Sequence, residues 1–232
     1  IDLAVAPFGQ NFQITPMQMI MAISAIANDG KLMQPYIVSQ ITDSDGNVIK
    51  TTEPTVKRQV ISKDVANQVL AMLEQNAISG GAKNGYVAGY RIGGKTGTSE
   101  THRDNNNDGI DDYIASFAGI APCDDPEIAL LCYFDTPLGD SYYGASVAGP
   151  CFRNIMSEVL PYLGVEKKYS ESELKNLSTQ ISAYGGMAVD EASAADSNAE
   201  LKVVIKGDGD TVISQSPDPY SYVPKGGTVI LY

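Results

Sequence analysis

The residues best equipped for chemistry are Gly93-Gly94-Lys95-Thr96-Gly97-Thr98-Ser99. Lys95 brings a compact, strongly hydrated positive charge. Gly97 has no Cβ, so a ligand can come close to the backbone there. Thr96 and Thr98 carry hydroxyls that can donate to a carboxylate, and their backbone N–H groups are further donors. Gly93 and Gly94 keep the approach to Lys95 free of side-chain bulk. The chemistry this suits is the holding of an anion. Lys-Thr-Gly is built of common residues, however, and a plain loop ahead of a strand is the competing reading. The rest of the chain has to decide.

The elements around this stretch set its position. Tyr113–Ala121 and Glu127–Asp135 read as two strands joined through Pro122-Cys-Asp-Asp-Pro126, which predicts an antiparallel sheet beside the motif. Upstream, Thr15-Pro16-Met17-Gln18 combines an N-cap, a first-turn proline and a capping box. The helix it starts runs to Asn28, ahead of Asp29-Gly30. Met17, Met19, Ile20, Met21, Ile23 and Ile26 surround that helix, so it is expected to be buried on all sides. Lys31–Thr52 reads as a hairpin with turn chemistry at Asp43–Asn47, and Val56–Ile61 as one more strand. Ser62 caps a second helix, Lys63–Ile78, which Ser79-Gly80-Gly81 ends. Val147–Leu163 is a further helix, and 135–144 a loop rich in Gly, Asp and Tyr. Residues 166–179 are polar and read as a linker. From 180 the pattern becomes that of a small unit: helix 187–198, strand 201–206, and a closing strand 227–232.

Of 232 residues, 43% are hydrophobic and 19% charged, enough for one sizeable core and a small second domain. The net charge of −12 leaves no basic footprint, which argues against nucleic acid and against an anionic membrane surface. The acid is concentrated in 100–165, where 2 basic and 11 acidic residues give −9. Cys123, Cys132 and Cys151 have neither metal-site spacing nor an even count. They read as small buried hydrophobes, with a single Cys123–Cys132 or Cys132–Cys151 bridge as the alternative. The longest near-apolar window, Met17–Ala27, is about half of the roughly 20 residues a membrane span needs.

Asp104-Asn-Asn-Asn-Asp-Gly-Ile-Asp-Asp112 places oxygen side chains at Asp104, Asn106, Asp108 and Asp112, with a glycine at the sixth position. That is the opening of a calcium loop, but Ala115 stands where the bidentate acid belongs. A solvated acidic turn is the alternative. His102, the sole histidine, reads as a surface residue without a partner.

Gly-Gly-Lys-Thr-Gly-Thr-Ser resembles the third motif of the penicillin-binding protein transpeptidases. Phe8-Gly-Gln-Asn-Phe-Gln-Ile-Thr-Pro-Met-Gln18 resembles the segment that precedes that motif in class B members, of the sporulation and division type. Gly149-Pro-Cys-Phe-Arg-Asn-Ile-Met-Ser-Glu-Val-Leu-Pro161 resembles their closing helix. Val-Ile-Ser-Gln-Ser-Pro-Asp-Pro219 with Val223-Pro-Lys-Gly-Gly-Thr-Val is similar to the PASTA domain that follows some of them in Gram-positive bacteria. The Ile181-Ser-Ala-Tyr-Gly-Gly-Met opening lacks the usual Val-Pro, which puts ligand binding by this copy in question. The implied fold is α+β: a partial transpeptidase fold over 1–165, the linker 166–179, and a β-α-β-β PASTA domain over 180–232.

The resemblance implies acyl transfer. In the family a serine attacks the D-Ala-D-Ala carbonyl of a peptidoglycan stem peptide, and β-lactams acylate the same serine. Lys95 would support proton movement and attract the terminal carboxylate. Thr96, Gly97 and Thr98 would bind substrate, and the Thr98 N–H would be one of two oxyanion donors. No cofactor is required, and any calcium would be structural. The nucleophile's Ser-x-x-Lys occurs here only as Ser172 with Lys175, beyond the closing helix. The resemblance therefore implies a C-terminal part of a larger enzyme, inactive alone. That enzyme would be anchored by an N-terminal helix outside the cytoplasmic membrane. Missing strands would leave a sheet edge for the upstream part of the same protein, or for a swapped dimer. The competing functions are a non-catalytic PASTA-bearing cell-wall binding or regulatory protein and a serine β-lactamase.

Overall fold

The first two helices begin where a side chain supplies the missing acceptor. In the computed structural model, which describes residues 9, 12–104, 109 and 111–232, helix α1 spans Pro16–Ala27. Thr15 Oγ1 accepts from the Gln18 N–H, and Gln18 Oε1 accepts from the Thr15 N–H in return. Helix α2, Lys63–Ser79, starts the same way, with Ser62 Oγ accepting from the Val65 N–H. α1 is not buried all round: Ala25 is its one fully buried residue and Met17 is 53% exposed. One face packs on the sheet described below. Pro16, Met17, Gln18 and Ala22 are exposed, and the remaining residues apart from Ala25 are half-buried.

The chain divides into two units, Ile1–Lys167 and Lys168–Tyr232. The first is built on an antiparallel sheet of β5 (Gly93–Glu100), β6 (Tyr113–Ala121) and β7 (Ile128–Asp135), in the order β5-β6-β7. Lys95 pairs with Ala118, Gly97 with Ser116 and Thr98 with Ala115. Helix α3, Gly144–Tyr162, covers one face. Phe117 and Phe152 meet there with ring centroids 4.5 Å apart, and Met156 and Leu160 complete a fully buried cluster. On the other face Leu70 of α2, Ile120 and Cys123 form a second cluster, with Ile23 and Ile26 of α1 packed against it.

Between α1 and α2 the chain makes two small ladders. β1 (Lys31–Met33) pairs with β4 (Val56–Gln59), and β2 (Gln40–Thr42) with β3 (Val48–Thr51). The predicted hairpin is thus the inner pair, closed by Asp43, whose Oδ1 accepts from the Asp45 and Asn47 N–H groups.

In the second unit the stretch 166–179, read above as a linker, carries a short helix. α4 spans Glu171–Leu177 with a Ser170/Glu173 capping box, and β8, Ser178–Gln180, pairs with β11, Tyr222–Pro224. The polar composition that suggested a tether is that of an exposed helix with both partners of its cap. β10 (Gln215–Ser216), β12 (Thr228–Leu231) and β9 (Lys202–Ile205) form a sheet in that order, with β9 and β12 parallel. Helix α5, Val189–Asn198, buries Ala192 and Asp196 in a core with Ile181, Tyr184, Val212 and Val229. Tyr184 donates from its hydroxyl to Asp196 Oδ1, and Asp196 Oδ2 has no partner among the described residues.

Candidate active site

β5 carries the Lys-Thr-Gly residues along one edge of the sheet. Side chains alternate along a strand, so Thr96 and Thr98 share one side of β5 and Lys95 the other. Lys95 is exposed, and its Nζ turns to the edge to donate to the Thr96 carbonyl at 2.6 Å. On the same edge, Asn76 Nδ2 donates to the Gly94 carbonyl at 2.7 Å. The carbonyls of Gly94 and Thr96 therefore point away from β6. In an antiparallel ladder a residue's N–H and C=O point the same way. The N–H groups of Thr96 and Thr98 accordingly face the open edge.

Thr98 is placed by a contact 46 residues away in sequence. The Gly144 N–H, at the start of α3, donates to Thr98 Oγ1 at 3.1 Å. With one lone pair so used, the Thr98 hydroxyl proton is free to point at a ligand. The N-terminus of a 19-residue helix adds positive potential beside it. Only glycine fits at 144, since a Cβ would overlap the carbonyl oxygens of Gly97 and Ser116.

The glycines of the motif serve packing. Gly93 and Gly94 are buried and do not line an approach to Lys95. A Cβ on Gly93 would lie 2.5 Å from Cys123 Sγ, and one on Gly94 2.5 Å from Phe117 Cζ. Gly97 faces Ser116, where a Cβ would come within 2.5 Å of Oγ. At Gly93 and Gly94 these are requirements of the two cores, which the sequence motif could not reveal.

The beginning of β5 is fastened to α2 by charge. Arg91 gives Glu74 two hydrogen bonds, at 2.8 and 2.9 Å, and its Nη1 lies 3.0 Å from Asp124. The Glu74 carboxylate holds the guanidinium well above its ordinary pKa. At the far end of β5 the rim is aromatic. Tyr113 stacks on Tyr142 at 4.2 Å, and Tyr142 lies against Tyr143 at 4.6 Å. This ladder was missed in the sequence; the Tyr142-Tyr143 doublet just ahead of a helix was its one signal.

Of the proposed calcium ligands, Asn106 and Asp108 lie outside the described residues. Asp104 spends a carboxylate oxygen on the Gly109 N–H at 3.0 Å, and Asp112 is buried. His102 is exposed but does have a partner, Asp111, at 3.4 Å. Glu100, His102 and Asp111 bring one ligand atom each within 4.8 Å of one another, all on exposed side chains. All three cysteines are free. Cys123 and Cys132 lie in clusters on opposite sheet faces, so they do not face each other for a bridge. Burial pushes the Cys123 thiol up to about 12. Burial, followed by the neighbouring Cys151, pushes Cys132 up to about 11. No described helix is long and apolar enough to cross a membrane.

The family model of the penicillin-binding protein transpeptidase domain matches residues 1–157. The chain belongs to the penicillin-binding protein transpeptidase family. A PASTA domain model matches residues 180–232. Stage V sporulation protein D of Bacillus subtilis is 35% identical over all of this chain, which spans 36% of that protein. Peptidoglycan D,D-transpeptidase FtsI of Escherichia coli is 31% identical over 72% of the chain and 26% of its own length. Among solved structures, the D,D-transpeptidase domain of a peptidoglycan glycosyltransferase from Eggerthella lenta matches at a TM-score of 0.55 and 27% identity. That match covers 68% of this chain and 35% of the other. A peptidoglycan synthetase from Bifidobacterium adolescentis gives 0.62 and 29%, over 70% and 29%. The chain thus spans about a third or less of the relatives it matches. The fold is α+β, in keeping with the transpeptidase domains it resembles.

Proposed function

We propose that this chain supplies the substrate-binding strand of a serine-type peptidoglycan D,D-transpeptidase, with the nucleophile on a segment outside this sequence. The observation that carries the reading is the open edge of β5. There the N–H of Thr98, the hydroxyls of Thr96 and Thr98, and the Lys95 ammonium lie within one short stretch of extended backbone. In this reading Lys95 attracts the terminal carboxylate of the stem peptide and supports proton movement. Thr96 and Thr98 hold that carboxylate. The Thr98 N–H stabilises the oxyanion that forms when the serine attacks, a donor whose loss typically costs about 2.7–4 kcal/mol. The one Ser-x-x-Lys here, Ser172 with Lys175, is exposed on α4 in the second unit and is assigned no role.

Apolar surface supports the idea that more of the same protein packs here. α1 is half-exposed despite its composition, and the outer edge of β7 has no partner strand among the described residues. The upstream part of the protein is the partner this predicts, with a swapped dimer as its substitute. The parent would stand on the outer face of the membrane, held by an N-terminal helix. The domain division follows: 1–165 catalytic, 180–232 PASTA. A non-catalytic cell-wall binding role is disfavoured by the intact Lys-Thr-Gly edge.

Intact mass after incubation with a penicillin tests the reading. A longer protein with a Ser-x-x-Lys segment ahead of Ile1 should gain one penicilloyl group, and this chain alone none. Acylation of neither would favour the binding role. A structural calcium ion held by Asp104, Asn106, Asp108 and Asp112 is a separate reading, motivated by their spacing. Chelation should then lower the melting temperature, and an unchanged value removes it.

A further inference from the structure

Cys132 and Cys151 come together where β7 packs on α3. Cys132 pairs with Phe117 in the β6–β7 ladder, and paired residues share a sheet face. That face is the one α3 covers, with Phe152 lying on Phe117. Cys151 precedes Phe152, a step of about 100° round the helix, and it packs against the buried cluster that holds Cys132 and Phe152. A hydrogen bond links the two thiol side chains. Cys132 is 8% exposed and Cys151 is half-buried. Cys123 stands apart, in the cluster on the opposite face of the sheet.

We propose that Cys132 and Cys151 form a dithiol site that closes to a disulfide in oxidising surroundings and fastens α3 to β7. The closed bridge encloses residues 133–150. That segment contains Gly144, whose N–H holds Thr98 Oγ1. The bridge thus pins α3 about two turns from the residue that places Thr98. Accessibility sets the order of the steps. Burial, followed by Cys151, pushes the Cys132 thiol up to about 11, and only a thiolate attacks a disulfide. The more accessible Cys151 therefore reacts first. Its thiolate attacks one sulfur of a small disulfide such as glutathione disulfide. The S–S bond of that molecule breaks, a mixed disulfide forms on Cys151, and one glutathione leaves with the proton. Cys132 then attacks Cys151 Sγ and expels the second glutathione, which takes the second proton. Two cysteine thiols are oxidised to one disulfide, and one glutathione disulfide is reduced to two thiols. The inference stands apart from the transpeptidase reading.

The test incubates the natural chain with glutathione disulfide at pH 8, quenches with acid, alkylates the remaining thiols and maps the peptides. Cleavage at aspartate and glutamate puts the three cysteines on separate peptides, because Asp124, Asp125 and Glu127 lie between the first two and Asp135 and Asp140 between the second two. The folded chain should give the Cys132 and Cys151 peptides joined, lighter than their sum by two hydrogens, with Cys123 alkylated. The same treatment in urea should favour Cys123–Cys132, the shorter loop to close. A change of pairing between urea and the folded state is what the fold requires. Cys123–Cys132 in the folded chain overturns the proposal, and so does a glutathione left on Cys151 beside a free Cys132. Cys151→Ser should leave the folded chain without any internal bridge, and a Cys123–Cys132 bridge in that variant contradicts the placement of the two on opposite faces. Closing the bridge should raise the melting temperature by about 5–10 °C. An unchanged or lower value shows that the pair does not fasten α3 to β7.

Discussion

Replacing Gly144 by alanine sets a methyl group against two carbonyl oxygens of the sheet and pushes the start of α3 away from Thr98. The expected cost is roughly 1–3 kcal/mol of stability, read by calorimetry, together with loss of penicillin acylation in the longer protein proposed above. An unchanged acylation rate would show that the Gly144–Thr98 contact does not place the site. Asp196 gives a second test at this scale. Burial raises its pKa, against the pull of the Tyr184 hydroxyl. A raised carboxyl contributes stability that is complete below the unfolded-state value and is lost as pH rises through the folded-state value. Asp196→Asn keeps a partner for Tyr184 and cannot ionise. Its melting temperature should therefore gain on that of the natural chain as pH goes from about 3 to 7; a gap that narrows contradicts the assignment. Among the cysteines, Cys151 should react first with iodoacetamide at pH 8, because Cys123 and Cys132 are buried with raised pKa values. Peptide mapping that finds Cys123 modified first would refute this.

At the scale of elements, Phe152→Ala removes the ring that fills the space above Gly119 and packs on Phe117. About 3–5 kcal/mol should be lost, measured by urea unfolding. Most elements were legible in the sequence, and the reason is local. Alternation and bounding turns marked β6 and β7, and caps marked α1 and α2, because those signals lie within a few neighbouring residues. Contacts between distant residues left no such trace. Nothing near Thr98 indicates Gly144, and nothing near Gly94 indicates Asn76. The Gly93-Gly94 pair was read as access for a ligand, whereas Cys123 and Phe117 claim that space. α3 begins at Gly144, ahead of the expected Val147, because Tyr143 caps it with extended backbone and no side-chain bond.

For the whole molecule, the two units predict where a protease will enter. Lys167 and Lys168 are exposed at their boundary. Brief trypsin treatment should cut there first and leave two products that resist further digestion, identified by mass. Early cleavage at Lys202 instead would mean that the second unit does not hold together by itself.

The β2–β3 hairpin offers an engineer a place to write. Every residue from Gln40 to Thr51 is exposed, and Asp43 closes the turn with its own hydrogen bonds. Neither strand pairs with any other part of the sheet that carries Lys95. A peptide tag or a small fluorescent label spliced in after Asp45 would therefore ride on the surface, leave the Thr98 edge as it is, and let the protein be followed in a living cell.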